Sequence, residues 1–255
     1  MPVLFRSIKK PHLFAHRGGN AAEGAYENTA KAFKSAVRLG YKFIETDVIV
    51  TRDNQVLCYH GAHNWYTKRH SGLELRRKVQ KLTYAQVRAQ KLPDGQEIPK
   101  LEDILRAYPK VLFSIDVKTR EAIGPLVKLI KRLGAEDRVI ITSFSLYRSL
   151  KANQLLRGHD RQASLCLSRV SAKALSPINS LFIRYIRLLG VRYLQISYTR
   201  INKRLIRLAH KNNIYVYAWT VNNQKAMKKM VKLGVDGIMS DESELLLKTV
   251  KNKKV

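Results

Sequence analysis

Short apolar runs alternate with amphipathic stretches along almost the whole chain. The runs fall at His12–Ala15, Lys42–Val48, Val111–Val117, Arg138–Thr142, Gln162–Leu167, Arg192–Ser197, Ile214–Trp219 and Gly237–Met239. Each has the length and composition of a buried strand. Between them, apolar residues recur at helical spacing. Ala30, Phe33, Ala36 and Val37 make one stripe that Gly40 ends, Leu101, Ile104 and Leu105 precede Pro109, and Leu126, Leu129, Ile130 and Leu133 precede Gly134. Ile201, Leu205, Leu208 and Ala209 form another, and Met227, Met230, Val231 and Leu233 lead to Gly234. Such stripes pack helices on a core, and a glycine just beyond the last apolar residue is a usual helix stop.

Strands that alternate with helices must be parallel, because each helix carries the chain back to the start of the next strand. Repeated around the chain, the pattern predicts a closed (β/α)8 TIM barrel. No G-x-G-x-x-G follows the first strand, which argues against an open dinucleotide-binding sheet. One interval breaks the rhythm: far more chain than one helix needs separates the second and third strands. It opens with a further short run, Val56–Tyr59, and continues as an insertion at about 61–100. That insertion carries Trp65, Tyr66, His70 and the cluster Arg76-Arg77-Lys78. Long connections of this kind usually hold substrate contacts, so it is expected at the C-terminal mouth of a single barrel domain spanning residues 1–255.

Composition narrows the class. With 45% hydrophobic residues in a chain of 255, there is enough apolar material for one large core. No run is long enough to span a membrane, and the N-terminus lacks the apolar run and cleavage site of a signal peptide, so a cytoplasmic location is expected. Cys58 and Cys166 lie within apolar runs and read as reduced core residues. The charge is unusual: 48 Lys+Arg against 19 Asp+Glu give a formal +29. Such a field attracts polyanions. The basic residues are dispersed, as in Lys225 to Lys232, so a solvated basic surface ranks ahead of peripheral contact with anionic membrane, possibilities that both rank ahead of nucleic acid.

In a TIM barrel the chemistry lies where strands end at the C-terminal face. Glu45 and Asp47 stand two apart on one strand and therefore share a face. With Asp116 from the next strand they make an all-oxygen set suited to Mg²⁺ or Ca²⁺, against a bland reading as acids satisfied by nearby Lys or Arg. His16 and His60 each follow an apolar run and should emerge at the mouth as an acid–base pair. Arg17 and Lys118 bring positive charge to where a phosphoryl group would gather negative charge. Gly18 and Gly19 either let backbone N–H groups approach that phosphoryl group or simply form a turn.

These residues stand in a recognisable order. His16-Arg-Gly-Gly, Glu27-Asn-Thr, Ala32-Phe33, Ile44-Glu-Thr-Asp-Val48, Thr51-Arg-Asp53 and His60 are followed by Asp116-Val-Lys118, Trp219-Thr-Val-Asn222 and Gly234-Val-Asp-Gly-Ile238 leading to Asp241. The string resembles the glycerophosphodiester phosphodiesterase family over nearly the whole chain. The resemblance implies a TIM barrel with a small insertion after the second strand and hydrolysis of glycerophosphodiesters to glycerol phosphate and an alcohol. It also implies one divalent cation, Mg²⁺ or Ca²⁺, held by Glu45, Asp47 and Asp116. His16 and His60 would be the general acid and base, with Arg17, Lys118 and Trp219 at the substrate. The Glu27-Asn28 motif either brings Glu27 to or near the metal or serves to cap the following helix through Asn28.

Three positions depart from the family pattern. Gly61 follows His60 where Asp is usual, Asp116 replaces Glu, and Tyr26 stands where Pro commonly precedes Glu-Asn-Thr. Tyr59-His-Gly61 and Asp116-Val-Lys-Thr119 are similar instead to the related sphingomyelinase D-like phospholipases. An enzyme acting on intact lipids, of lysophospholipase D or sphingomyelinase D type, is therefore the alternative. The segment Leu181-Phe-Ile-Arg-Tyr-Ile-Arg-Leu-Leu189 would serve it as a membrane-facing helix, though it also reads as an ordinary barrel helix.

Overall fold

A computed structural model describes residues 8–20, 26–61, 72–92, 94–157, 163–167 and 180–251. Eight parallel strands form its centre: β1 (His12–His16), β2 (Phe43–Val50), β4 (Leu112–Val117), β5 (Val139–Ser143), β6 (Ala163–Leu167), β7 (Val191–Ser197), β8 (Tyr215–Trp219) and β9 (Gly237–Ser240). Each strand pairs with the next, and β1 pairs with both β9 and β2, so the sheet closes on itself. This is the (β/α)8 barrel the periodicity predicts, with every apolar run except Val56–Tyr59 contributing a barrel strand. That ninth run forms β3 (Val56–Cys58), which lies antiparallel on the end of β2 and pairs Val48 with Cys58.

Side-chain alternation explains why the barrel is apolar below and polar above. Phe14, Phe43, Leu112, Ile140, Tyr193, Tyr217 and Met239 fill the lower interior as one buried cluster. Two residues further along the same strands stand His16, Glu45, Ser114, Thr142, Gln195 and Trp219. Gln195 links the middle of the barrel by donating to Ser114 Oγ at 2.9 Å and Ser164 Oγ at 3.1 Å. Intervening residues such as Ile44, Ile115 and Ile196 point outward and are buried beneath the helices. Both faces of a parallel strand are thus covered, and all eight positions of β2 are buried.

The helical stripes hold with local shifts. In the helix Ala30–Arg38 the buried residues are Ala32, Phe33 and Ala36, while Ala30 is exposed in the first turn. Thr29 caps this helix by accepting from the Ala32 N–H, so the expected capping role of Asn28 is incorrect. In the helix Lys203–Lys211 the buried face includes Ile206, whereas Ile201 lies before the Asn202 cap and packs from the preceding turn.

The long interval after β2 holds helices Gly72–Lys81 and Tyr84–Arg88. Val79, Val87, Leu92 and Ile98 pack on Ile49, Leu57 and Tyr59 as a separate apolar cluster beside the barrel. Trp65, Tyr66 and His70 lie outside the described residues. Cys58 and Cys166 are buried free thiols, as expected from their apolar surroundings. Among the described residues no helix is long and apolar enough to cross a membrane.

Candidate active site

The polar ends of β1, β2, β4 and β9 converge on one cluster. Strand register sets the first contacts, because His16 pairs with Glu45 and Asp47 pairs with Asp116. Asp47 lies at the centre. It forms ion pairs with Arg17 Nε at 2.9 Å and Lys118 Nζ at 2.5 Å and accepts from Asn28 Nδ2 at 3.1 Å. Lys118 Nζ also meets Asp116 Oδ2 at 2.6 Å, so its ammonium stands between the two aspartates. Glu45 accepts from the Arg17 backbone N–H at 3.2 Å and faces His16 Nε2 at 3.7 Å.

Each histidine has a carboxylate on one ring nitrogen. His16 Nδ1 lies 2.7 Å from Asp241 Oδ1 at the end of β9, and Asn222 holds that aspartate by donating to Oδ2 at 2.6 Å. His60 Nδ1 lies 3.5 Å from Glu27 Oε1, whose other oxygen takes Arg17 Nη1 at 2.6 Å. Arg76 from the insertion donates to the His60 carbonyl at 2.7 Å. His16, Arg17, Glu45, Asp47, His60, Asp116 and Lys118 are therefore one connected network. Trp219 stands on the rim, edge-on to Phe144 with ring centroids 5.6 Å apart, and the Phe144 ring lies 5.3 Å from Lys118 Nζ.

Burial makes the charges interdependent. Glu45 is pushed up to about 7, chiefly by desolvation and then by the charge of Asp47. Burial opposes ionisation of Asp47 too, but Lys118 and Arg17 override it and hold that group well below the usual carboxylate range. His16 is raised despite its burial, because Glu45 and Asp241 favour the imidazolium. Lys118 is raised by Asp116 and Asp47 against the same desolvation.

A folded-state value for Glu45 above its unfolded one means that ionising it opposes folding as pH rises from about 4.5 to 7. In metal-stripped protein, Glu45→Gln is therefore expected to raise Tm relative to the parent at pH 8 and to have little effect at pH 5. Differential scanning calorimetry at the two pH values checks this. An equal change at both would contradict the assignment of the strain to the Glu45 charge.

Backbone geometry at the end of β1 explains the His-Arg-Gly-Gly string. Arg17 has φ 54°, a left-handed conformation unusual for a bulky residue, and it is held there by its own N–H on Glu45 and by the Asn28 N–H donating to its carbonyl at 2.8 Å. Gly18 N–H donates to the Ala15 carbonyl and Gly19 N–H to the His16 carbonyl, so these groups close the turn and are not aimed at a ligand. Of the two readings of the glycine pair, the structure supports the turn. A Cβ on Gly19 would lie 1.7 Å from Ser243 Oγ, at a φ of +72°. Gly19→Ala is expected to cost roughly 2–4 kcal/mol of stability, by overpacking and by strain at positive φ, and to displace Ser243 and Asp241, the partner of His16. Urea denaturation would measure the first effect and activity the second.

Two of the departures from the family pattern have local explanations. Gly61 is buried with φ +92° and turns the chain directly after His60. Tyr26 packs against the cluster formed by the insertion, and its carbonyl accepts from Thr29 Oγ1 at 2.7 Å. Sequence reasoning missed the roles of Asp241, Asn222 and Asn28. Asn28 is buried, and besides its bond to Asp47 its Oδ1 accepts from Thr46 Oγ1 at 2.7 Å and from the Asp47 N–H at 3.2 Å. Asp241 had one signal: it closes the Gly-Val-Asp-Gly-Ile motif at the end of a barrel strand.

Glu45, Asp47 and Asp116 offer only hard oxygen donors, the kind that Mg²⁺ and Ca²⁺ take. Asp116 Oδ1 is buried without a hydrogen-bond partner. The donor chemistry suits such a cation, but among the described residues no three acidic, histidine or cysteine side chains converge as a ligand cage, and Lys118 stands between Asp47 and Asp116, as the reading of acids satisfied by a nearby lysine expects.

The profile of the glycerophosphoryl diester phosphodiesterase family matches residues 16–245. The chain belongs to that family. It is a phosphoric diester hydrolase, and the matched span runs from the first histidine of the cluster to beyond Asp241. A Mycobacterium tuberculosis protein named probable glycerophosphodiester phosphodiesterase 2 is 32% identical over 237 residues, covering 91% of this chain and 88% of its own. Lysophospholipase D GDPD1 of Rattus norvegicus is 28% identical, with 94% and 87% covered. Among solved structures, a phosphodiesterase from Oleispira antarctica, in complex with the product sn-glycerol-3-phosphate, superposes with a TM-score of 0.76 at 20% identity, over 94% of this chain and 97% of that one. At that identity the likeness concerns the fold.

Proposed function

We propose that the cluster at the barrel mouth hydrolyses glycerophosphodiesters to glycerol phosphate and an alcohol, with His16 and His60 as general acid and base. The observation that carries the reading is the hydrogen bond between His16 Nδ1 and Asp241, with His60 Nδ1 within 3.5 Å of Glu27 across the same set of buried acids and cations. A carboxylate on one nitrogen fixes the ring and stabilises the imidazolium that forms when the ring takes a proton. One histidine removes the proton from the attacking glycerol hydroxyl and the other protonates the departing alkoxide, which gives a cyclic glycerol phosphate and the free alcohol; water then opens the cycle to glycerol phosphate with the two histidines in exchanged roles. Arg17 and Lys118 stabilise the charge that builds on the phosphoryl oxygens. Trp219, with Phe144, walls the side where the substrate enters.

Glu45, Asp47 and Asp116 would hold one divalent cation, Mg²⁺ or Ca²⁺. When bound, such an ion supplies Lewis acidity that lowers the pKa of a nearby hydroxyl and offsets phosphate charge. Removal by chelator is expected to abolish turnover of glycerophosphoglycerol, and adding Mg²⁺ and Ca²⁺ back separately should restore it with at least one ion. Undiminished activity after exhaustive chelation would remove the cation from the account. A cytoplasmic location of one barrel domain over residues 1–255 is part of the same proposal.

A second reading is hydrolysis of lysolipids at a membrane. It is favoured by the helix Ser180–Leu188, whose outward stripe leaves Leu181 70% and Leu188 85% exposed beside Tyr185, while Ile183 and Ile186 are buried. With the formal charge of +29, this stripe suits peripheral contact with anionic membrane. Turnover of lysophosphatidylcholine in anionic vesicles, reduced by Leu181→Glu, would support it. Indifference to lysolipid would leave the deacylated diesters as substrates.

A further inference from the structure

The phosphoryl-binding charge is already assigned: Arg17 and Lys118 are enclosed by Glu27, Asp47 and Asp116. Three more guanidinium groups come from three different segments on the side of the mouth above β2, β4 and β5. Arg148 donates from Nε to Ser143 Oγ at 2.9 Å, and Ser143 in turn donates to the Val117 carbonyl at 2.9 Å, which places Arg148 beside Lys118. Arg76 is fixed on the His60 carbonyl. Its helix is docked one turn further on, where Gln80 donates to Glu121 at 3.1 Å. Arg120, next to Glu121, lies over the Tyr147 ring at 4.8 Å.

The partners of these three arginines are a carbonyl, a hydroxyl and an aromatic ring. Among the described residues none of the three forms an ion pair with a carboxylate, in contrast to Arg17, which meets two. Contacts between their segments bring them to one place: Gln80 ties the helix of Arg76 to Glu121, next to Arg120, and Arg120 lies over the ring of Tyr147, which directly precedes Arg148. Arg148 is held below its ordinary value first by burial, with Arg76 and Arg120 adding to this and Asp116 and Glu121 opposing it. Asp116 is engaged by Lys118 and Glu121 by Gln80, and among the described residues neither makes an ion pair with these three guanidinium groups, so the positive charge gathered there favours an anion joining them. Guanidinium forks match phosphate and carboxylate groups in geometry as well as charge.

We propose that Arg76, Arg120 and Arg148 form a second anion subsite, which receives a negatively charged substituent on the leaving alcohol. Preferred substrates are then glycerophosphodiesters whose alcohol carries its own phosphate or carboxylate, ahead of those with neutral or cationic alcohols. The inference rests on the hydrolase reading above and adds the class of leaving group. Phe144 and Tyr147, respectively 42% and 53% exposed, give the uncharged part of that alcohol a surface between the two anion sites.

The test compares kcat/KM at low ionic strength for glycerophosphocholine, glycerophosphoglycerol, glycerophosphoinositol 4-phosphate and bis(glycerophospho)glycerol. The anionic pair should exceed glycerophosphoglycerol by about tenfold, with choline last, and the advantage should shrink as salt screens the charges. The inositol phosphate and the bridging diester separate a terminal phosphate from an internal one. In Arg120→Gln/Arg148→Gln the anionic-to-neutral ratio should fall to near one. The exposed Arg120→Gln alone should lower it about threefold, which decides the matter if the double variant does not fold. A parent ratio near one, a preference for choline, or a ratio unmoved in Arg120→Gln would overturn the proposal. Equilibrium binding of the same compounds to His16→Ala reads the subsite without turnover, so absence of hydrolysis would count against the hydrolase reading alone.

Discussion

His16→Ala is expected to lower kcat/KM toward a glycerophosphodiester by about 10²–10⁴-fold, the range usual for loss of a positioned general acid or base. The substitution removes the ring and also leaves Asp241 and Glu45 facing each other's charge with no imidazole between them. Asp241 lies below its ordinary carboxylate range, because His16 and Asn222 stabilise its charge against burial. Asp241→Asn should therefore reproduce part of the His16→Ala loss while leaving the ring in place. The measurement is kcat against pH for both variants. Loss of a proton-transfer group removes one limb of the profile, whereas loss of packing alone would lower the whole curve without changing its shape.

Asp47→Ala is expected to have the other large effect, on stability and activity together. Three side chains converge on this one carboxylate, and two of them, Arg17 and Lys118, are cationic. Asp47 is 1% exposed, and removing it takes one of two carboxylate partners from each of Arg17 and Lys118, leaving them Glu27 and Asp116, so the cost should approach the roughly 3–5 kcal/mol of a broken buried pair. Activity should fall below detection, since the same change deletes a proposed cation ligand and releases both phosphate-binding groups. Asp47→Asn keeps the size and can still accept from Asn28 Nδ2, so it should recover part of the stability and little of the activity. Chemical denaturation of the three proteins separates the effects. Equal stability of parent and Asp47→Ala would show that the network is not held from this residue.

The order of difficulty in reading this chain follows the range of the interactions. Strand and helix positions depend on local periodicity, and the eight barrel strands were legible within a residue or two at each end. His16, Glu45, Asp47, Asp116 and Lys118 were legible because barrel topology brings strand ends together whatever their separation in sequence. His60 follows from the same logic through β3, which is pinned to the end of β2. Asn28 was misread because an asparagine before a helical stripe usually caps it, and only the fold reveals that it turns inward to Asp47. Arg148 carried no signal at all. It lies on a helix face, and its role depends on Ser143, Arg76 and Arg120 arriving from other segments.

Cleavage of glycerophosphodiesters by this cluster requires both of its histidines. Product analysis of glycerophosphoglycerol hydrolysis by the parent, His16→Ala and His60→Ala, in the presence of Mg²⁺ or Ca²⁺, tests it most directly. The parent is expected to give glycerol phosphate and glycerol in equal amounts, with a loss of at least about a hundredfold in each variant. Full turnover by either variant, or a parent that leaves the diester intact with both ions, would contradict it.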